Sequence, residues 1–255
     1  MSIAQTQPAR PGLWTSWAPA LRMHAGFIAA ELTILVAALA LVAVVLARPE
    51  PLPGDVGLTL AWQQLVRPYA LPTALIGGIG AINWPLPAGI AMAVIIAALA
   101  LSRRWLDIAV ALGTVIPAAG LTFLTRQWVA RPRPEGYGVV VEQQGIHFLS
   151  FPSGHVEHAV AFLGLILFLT YQVRRPLLPW LAAALWLVRI VLLVQIVLMA
   201  PSRVLVGEHW PSDAVAGLLY GAFWLLAGIQ AYRWAARRWP RLVPPNERRE
   251  VPGAA

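Results

Sequence analysis

Residues 24–47 run almost without interruption through apolar side chains, and stretches of the same character recur at 84–101, 106–128, 155–173, 178–200 and 213–232. At about 1.5 Å per residue, a helix over the first of these reaches about 36 Å, enough to cross a hydrocarbon core of about 30 Å with some tilt. Lipid offers no partner to an open backbone amide, so runs of this kind must fold as helices. The remainder of the chain agrees: 59% of its residues are hydrophobic and only 12% are charged, which excludes an ordinary soluble domain. The sequence therefore predicts an all-α integral membrane protein.

Charge sets the expected threading. The net charge is +8, there is no Lys, and every basic side chain is Arg. These arginines are scattered between apolar runs instead of lining one stripe, which argues against nucleic acid and for positive-inside flanks. Arg103-Arg104, Arg174-Arg175 and the group Arg233, Arg237, Arg238 and Arg241 read as cytoplasmic loops and a tail. If Arg22 shares a side with Arg103-Arg104, residues 48–101 supply one crossing. Tyr69–Ile82, short and interrupted by Pro72 and several Gly, then reads as re-entrant or interfacial, and Val56–Val66 as a short interfacial helix. Gly77-Gly78-Ile79-Gly80 has the wrong spacing and context for a phosphate loop and suits close helix packing instead.

Six spans result, with both termini inside. The organisation expected is a cytoplasmic segment over 1–23, a first span with outer loop and interfacial segment over 24–83, a core over 84–236, and a basic tail over 237–255. The run from 24 is longer than the apolar core of a signal peptide and reads as a retained helix. The chain has no Cys, which removes disulfides and thiolate metal sites.

The same threading places the loops at 126–154 and 201–213 together on the outer face. Three polar clusters meet there. Arg126 and Arg133 lie where the third span ends, with Pro132 disfavouring helix at Arg131. Pro152-Ser153-Gly154-His155 precedes the fourth span, where Ser153 is a candidate N-cap and the amides around Gly154 open a helix. Ser202-Arg203 through His209 to Asp213 precedes the sixth, with His209 and Asp213 at helical spacing. A carboxylate in that register can hold one imidazole nitrogen and leave the other to react.

Several guanidiniums, a helix start, two histidines and one carboxylate make an anion site with a nucleophile in it. Metal chemistry is the rival, since His155 and His158 are three apart and His209 could join them. The chain has only three Asp, at 55, 107 and 213, and no pair of carboxylates is expected near the site. Surrounding cations would also repel a metal ion.

Taken together, Arg126 with Arg133-Pro134, Pro152-Ser153-Gly154-His155, and Ser202-Arg203 with His209 and Asp213 resemble the three-part signature of the type 2 phosphatidic acid phosphatase superfamily, which shares its site with vanadium-dependent haloperoxidases. Arg126 stands where that family usually has Lys. The resemblance spans roughly residues 84–232 and implies specific roles. His209 would be the nucleophile that forms a phosphohistidine, with Asp213 holding its far nitrogen. His155 would protonate the leaving group and then activate water. Arg126, Arg133, Arg203, Ser153 and the Gly154 amide would bind phosphate oxygens, with no metal and no cofactor required.

The partners implied are the bilayer and a lipid phosphate or diphosphate, handled on the extracytoplasmic face of the plasma membrane. Undecaprenyl diphosphate leads, followed by phosphatidic acid, diacylglycerol diphosphate and phosphatidylglycerol phosphate. A lipid phosphotransferase using the same histidine, and a non-catalytic lipid-binding or transport protein, are the alternatives. Glu157 and His158 are expected either to tune the acid or to line the entrance, Arg131 to reach the headgroup or only the lipid surface, and the intramembrane charges Glu31 and Arg189 to pair.

Overall fold

The computed structural model describes residues 13–142, 149–173 and 178–244, with side chains described from residue 25 onward except at 85. The Arg174-Arg175 loop and both chain ends fall outside these residues. The described residues form helices and no strand. In order they are α1 (Leu13–Ala47), α2 (Asp55–Val66), α3 (Ala70–Ile82), α4 (Pro85–Leu101), α5 (Trp105–Val129), α6 (Gly154–Thr170), α7 (Pro179–Leu205) and α8 (Pro211–Arg238), followed by a 3-10 turn over Pro240–Leu242.

Among the described residues, four helical stretches are long and apolar enough to cross a membrane: Ala25–Ala47, Trp105–Val129, Pro179–Leu205 and Pro211–Arg238. The pair Ala70–Ile82 and Leu86–Leu101, bent by 62° at its break, passes the same test only if taken as one span. The segment expected to be re-entrant or interfacial is thus itself a helix, and Pro85 opens its partner at a position where no amide is needed. α6 is shorter, and a π turn over Ala159–Leu163 interrupts it. Large apolar side chains such as Leu39, Ile90, Leu124 and Val197 lie more than half exposed on the outer helix faces, as hydrocarbon solvent allows.

Helix α8 is the hub, packed against α1, α5, α6 and α7. One apolar cluster joins Val110 and Val115 of α5 to Phe162 and Leu165 of α6, Leu192 of α7 and Tyr232 of α8. A second, nearer the polar end, joins Ala38, Val42 and Val45 of α1 to Val129, Phe151, Ala216 and Tyr220. The α6–α8 approach is very close. A Cβ at Gly217 would sit 2.6 Å from the Ser153 carbonyl oxygen, and one at Gly221 would sit 2.6 Å from Val160 Cβ. Only glycine fits at those two turns.

The intramembrane Arg189 finds partners other than the one expected. Arg189 does not pair with Glu31. Its Nε donates to Thr170 Oγ1 at 3.1 Å and its Nη2 to the Thr170 carbonyl at 2.8 Å, while the guanidinium lies 4.1 Å over the Tyr171 ring. The exposed carbonyls at the end of α6 satisfy it, which removes the need for a carboxylate.

Candidate active site

Four helix ends converge at one pole of the bundle. α5 ends at Val129, and Ala130 turns the chain out with a left-handed φ of 51°. Arg126 therefore sits in the last turn of α5, while Arg131 and Arg133 lie on the exiting loop. α6 begins at Gly154 and α8 at Pro211, and the short loop between α7 and α8 carries Glu208 and His209. α7 runs further than expected, to Leu205, so Ser202 and Arg203 are helical.

The two loops of the site are stitched directly to each other. His209 Nδ1 lies 2.7 Å from the Ser150 carbonyl oxygen, and Arg133 Nη1 donates to the Glu208 carbonyl at 3.1 Å. A carbonyl can only accept, so the proton resides on Nδ1 and Nε2 keeps its lone pair. Burial holds the imidazole below its ordinary proton affinity, and Arg133 and Arg126 add to that, against an opposing contribution from Asp213. His209, only 1% exposed, is therefore a neutral imidazole with a defined tautomer at neutral pH.

Asp213 does not take the position expected of it. Its Oδ2 is 3.8 Å from His209 Nδ1, too far for a hydrogen bond, and accepts the Trp210 amide at 2.8 Å. Its Oδ1 accepts Arg131 Nη1 at 2.6 Å. Arg131 in turn donates from Nη2 to Asp55 Oδ2 at 2.7 Å and to the Glu50 carbonyl at 3.1 Å, and from Nη1 to Ser212 Oγ at 2.7 Å. Arg131 is fully buried, so it reaches neither the headgroup nor the lipid surface. It is a buried cation between two carboxylates that ties the α1–α2 loop to the start of α8. The carboxylate acts on His209 through its field and by fixing the turn that carries the ring.

The remaining cations face the histidines. Arg126 Nη2 donates to the Pro152 carbonyl at 3.0 Å, and a Cβ at Gly154 would stand 2.8 Å from that nitrogen. The missing side chain of Gly154 is what lets the guanidinium lie across the start of α6. Arg203 Nη1 donates to Glu208 Oε2 at 3.0 Å, with Arg133 at 3.6 Å from the same oxygen. Ser153 occupies the N-cap position but makes no capping bond, and its buried Oγ has no partner among the described residues. A buried hydroxyl without a partner is a group held ready for something.

Glu208 is the residue that motif reasoning passed over. It stands between Arg203 and His209 in the chain, and its carboxylate belongs to the site. The expectation of one carboxylate, Asp213, with no pair near the site is corrected on this point: ligand atoms of His155, Glu208 and His209 all lie within 4.8 Å of one another, a grouping that could hold a metal ion. Glu208 is already paired with two guanidiniums, Arg203 and Arg133, which favours an anion there instead. His158 is not part of the group and stacks on Phe162 at 5.1 Å. Glu157 is buried and does not line an entrance; its Oε1 has no hydrogen-bond partner among the described residues.

Comparison with known proteins places this geometry in context. A family model described as the PAP2 superfamily matches residues 104–237. Among curated proteins, the lipid A 1-phosphatase of Rhizobium etli is 31% identical over 159 residues, covering 55% of this chain and 60% of that protein. The lipid A 1-phosphatase of Rhizobium johnstonii is 33% identical over 121 residues, covering 44% and 43%. This chain thus spans well under two thirds of either relative's length. Among solved structures, a transmembrane PAP2-type phosphatidylglycerolphosphate phosphatase from Bacillus subtilis superposes with a TM-score of 0.66 at 21% identity, covering 82% of this chain and 98% of that one.

Proposed function

The chain belongs to the PAP2 superfamily, and on that premise we propose that it is a membrane lipid phosphatase working through a phosphohistidine on His209. The observation that carries the reading is the tautomer lock. With Nδ1 donating to the Ser150 carbonyl, Nε2 is the nucleophilic nitrogen, and it sits in a cluster with His155 under three guanidiniums.

In the first step the Nε2 lone pair bonds to phosphorus, the bond to the lipid oxygen breaks, and His155 gives that oxygen a proton. The incoming phosphate dianion supplies the negative charge that favours a protonated His155 in a site otherwise crowded with cations. In the second step His155 takes a proton from water, the resulting hydroxide attacks phosphorus, and the N–P bond breaks to return neutral His209. Arg126, Arg133, Arg203, Ser153 and the Gly154 amide hold the equatorial oxygens, and the guanidiniums neutralise charge that a metal ion would otherwise offset.

The substrate class is a lipid with a terminal phosphate or diphosphate. Undecaprenyl diphosphate, phosphatidic acid and diacylglycerol diphosphate belong to it by chemistry. The names of the relatives add lipid A with a 1-phosphate, and the structural neighbour supports phosphatidylglycerol phosphate. We place the site on the extracytoplasmic face of the plasma membrane, with α4 and α6 completing six crossings, because the basic loop at Arg103 and the basic end of α8 lie opposite the polar pole.

A phosphate-release panel over these lipids tests the reading. His209→Ala should lose at least about a thousandfold in kcat. EDTA should leave the wild type active, and vanadate should inhibit it as a five-coordinate mimic of phosphorus. Undiminished release by His209→Ala, or loss of activity on chelation, would remove the mechanism.

A further inference from the structure

Helix α3 lies outside the residues that the family model matches, yet it reaches the site. It packs along α7, and Asn83 at its end donates to Gln195 Oε1 at 2.6 Å. Neighbouring Trp62 of α2 donates to the Pro201 carbonyl at 3.0 Å, and Gln63 to that of Leu205 at 2.8 Å. The α2–α3 unit therefore brackets the final turn of α7, the turn that carries Ser202 and Arg203.

Within α3 the glycines are not equivalent. A Cβ at Gly78 would meet nothing within 4 Å, and one at Gly77 would meet only Val206 Cγ1 at an ordinary 3.9 Å. A Cβ at Gly80 would coincide with Arg203 Nη2, overlap its Cζ, and stand 2.9 Å from Ser202 Oγ. Gly80 is also the residue of α3 that is buried.

We propose that Gly80 is a positioning residue for Arg203: its lack of a side chain leaves the slot against α3 that the guanidinium enters with Nη2 leading. In that slot Nη1 meets Glu208 at 3.0 Å and Nη2 meets Ser202 Oγ at 3.2 Å, so both nitrogens of the fork are held. A side chain at 80 would push Nη2 out of the slot. The site is then built from five helical elements, the fifth supplied by a segment without any chemical group of its own. The consequence for phosphate handling rests on the proposal above that Arg203 binds phosphate oxygens; the seating of the guanidinium does not.

Two measurements separate these layers. In phosphate release, Gly80→Ala should lose at least tenfold in kcat, while Gly78→Ala stays within twofold of wild type. In thermal unfolding of the detergent-solubilised full chain, Gly80→Ala should lower Tm beside Arg203 but not in an Arg203→Ala background, where alanine is simply the better helix former. Equal losses for Gly78→Ala and Gly80→Ala, or the same Tm drop in both backgrounds, would overturn the proposal. If the wild type releases phosphate from no lipid, the functional reading fails, and the unfolding cycle still decides whether Gly80 seats Arg203.

Discussion

The ring of His209 is held by a main-chain carbonyl and not by the carboxylate four residues on, and this changes what each group can be expected to do. Because burial and nearby guanidiniums lower its proton affinity, His209 is neutral above its ordinary value of about 6.5 and stays neutral for some way below it. Nucleophilic competence is therefore present at neutral pH and lost only as pH falls through the depressed value. The acid limb of kcat against pH should lie below 6.5, and a limb at or above that value would contradict the burial argument. Asp213 and Asp55 share Arg131 in a region without solvent access. Replacing that arginine by methionine strands two buried carboxylates, a loss of about 3–5 kcal/mol by analogy with other broken buried pairs. Thermal unfolding in detergent should register it as a fall in Tm larger than that of any mutation at the exposed Glu135.

Helix ends, more than helix middles, carry the chemistry. α5 contributes its last turn, α6 its first, α7 its last and α8 its first, so each polar group emerges where backbone bonding is incomplete and partners are needed. The distance between α6 and α8 is set by glycine. Gly217→Ala would press on the Ser153 carbonyl and displace the Ser153-Gly154-His155 turn, and at least a tenfold loss of kcat is expected. Gly120→Ala in α5, where a Cβ meets nothing within 4 Å, is the matched control and should keep full activity. The four helices long enough to cross were legible from apolar runs because length and composition alone decide whether a helix can cross. The π turn in α6 and the extension of α7 through Arg203 were not, since both answer to neighbours that lie far away in the chain.

Across the whole molecule, the candidate site gathers at one pole, and Arg103 and the basic end of α8 lie at the other. A chain without Cys suits a direct test of which side is which. A single cysteine at Glu135, in the exposed loop near the site, should react with an impermeant maleimide in intact cells. One at Ser102, at the far end of α4, should react only after permeabilisation. The reverse pattern would invert the threading and place the site in the cytoplasm.

The sequence by itself determined the helical class, the position of most spans and the three polar clusters, because each depends on residue type at short spacing. Tertiary structure decided how those clusters are wired. Asp55, almost 160 residues from Asp213 in the chain, becomes its partner through Arg131, and the Ser150 carbonyl takes over the orienting bond to His209. Neither was readable beforehand: a carbonyl looks the same at every position, and a buried charge selects its partners by proximity in the folded chain. Gly80 belongs with them, since the need for an absent side chain appears only when Arg203 is laid against it.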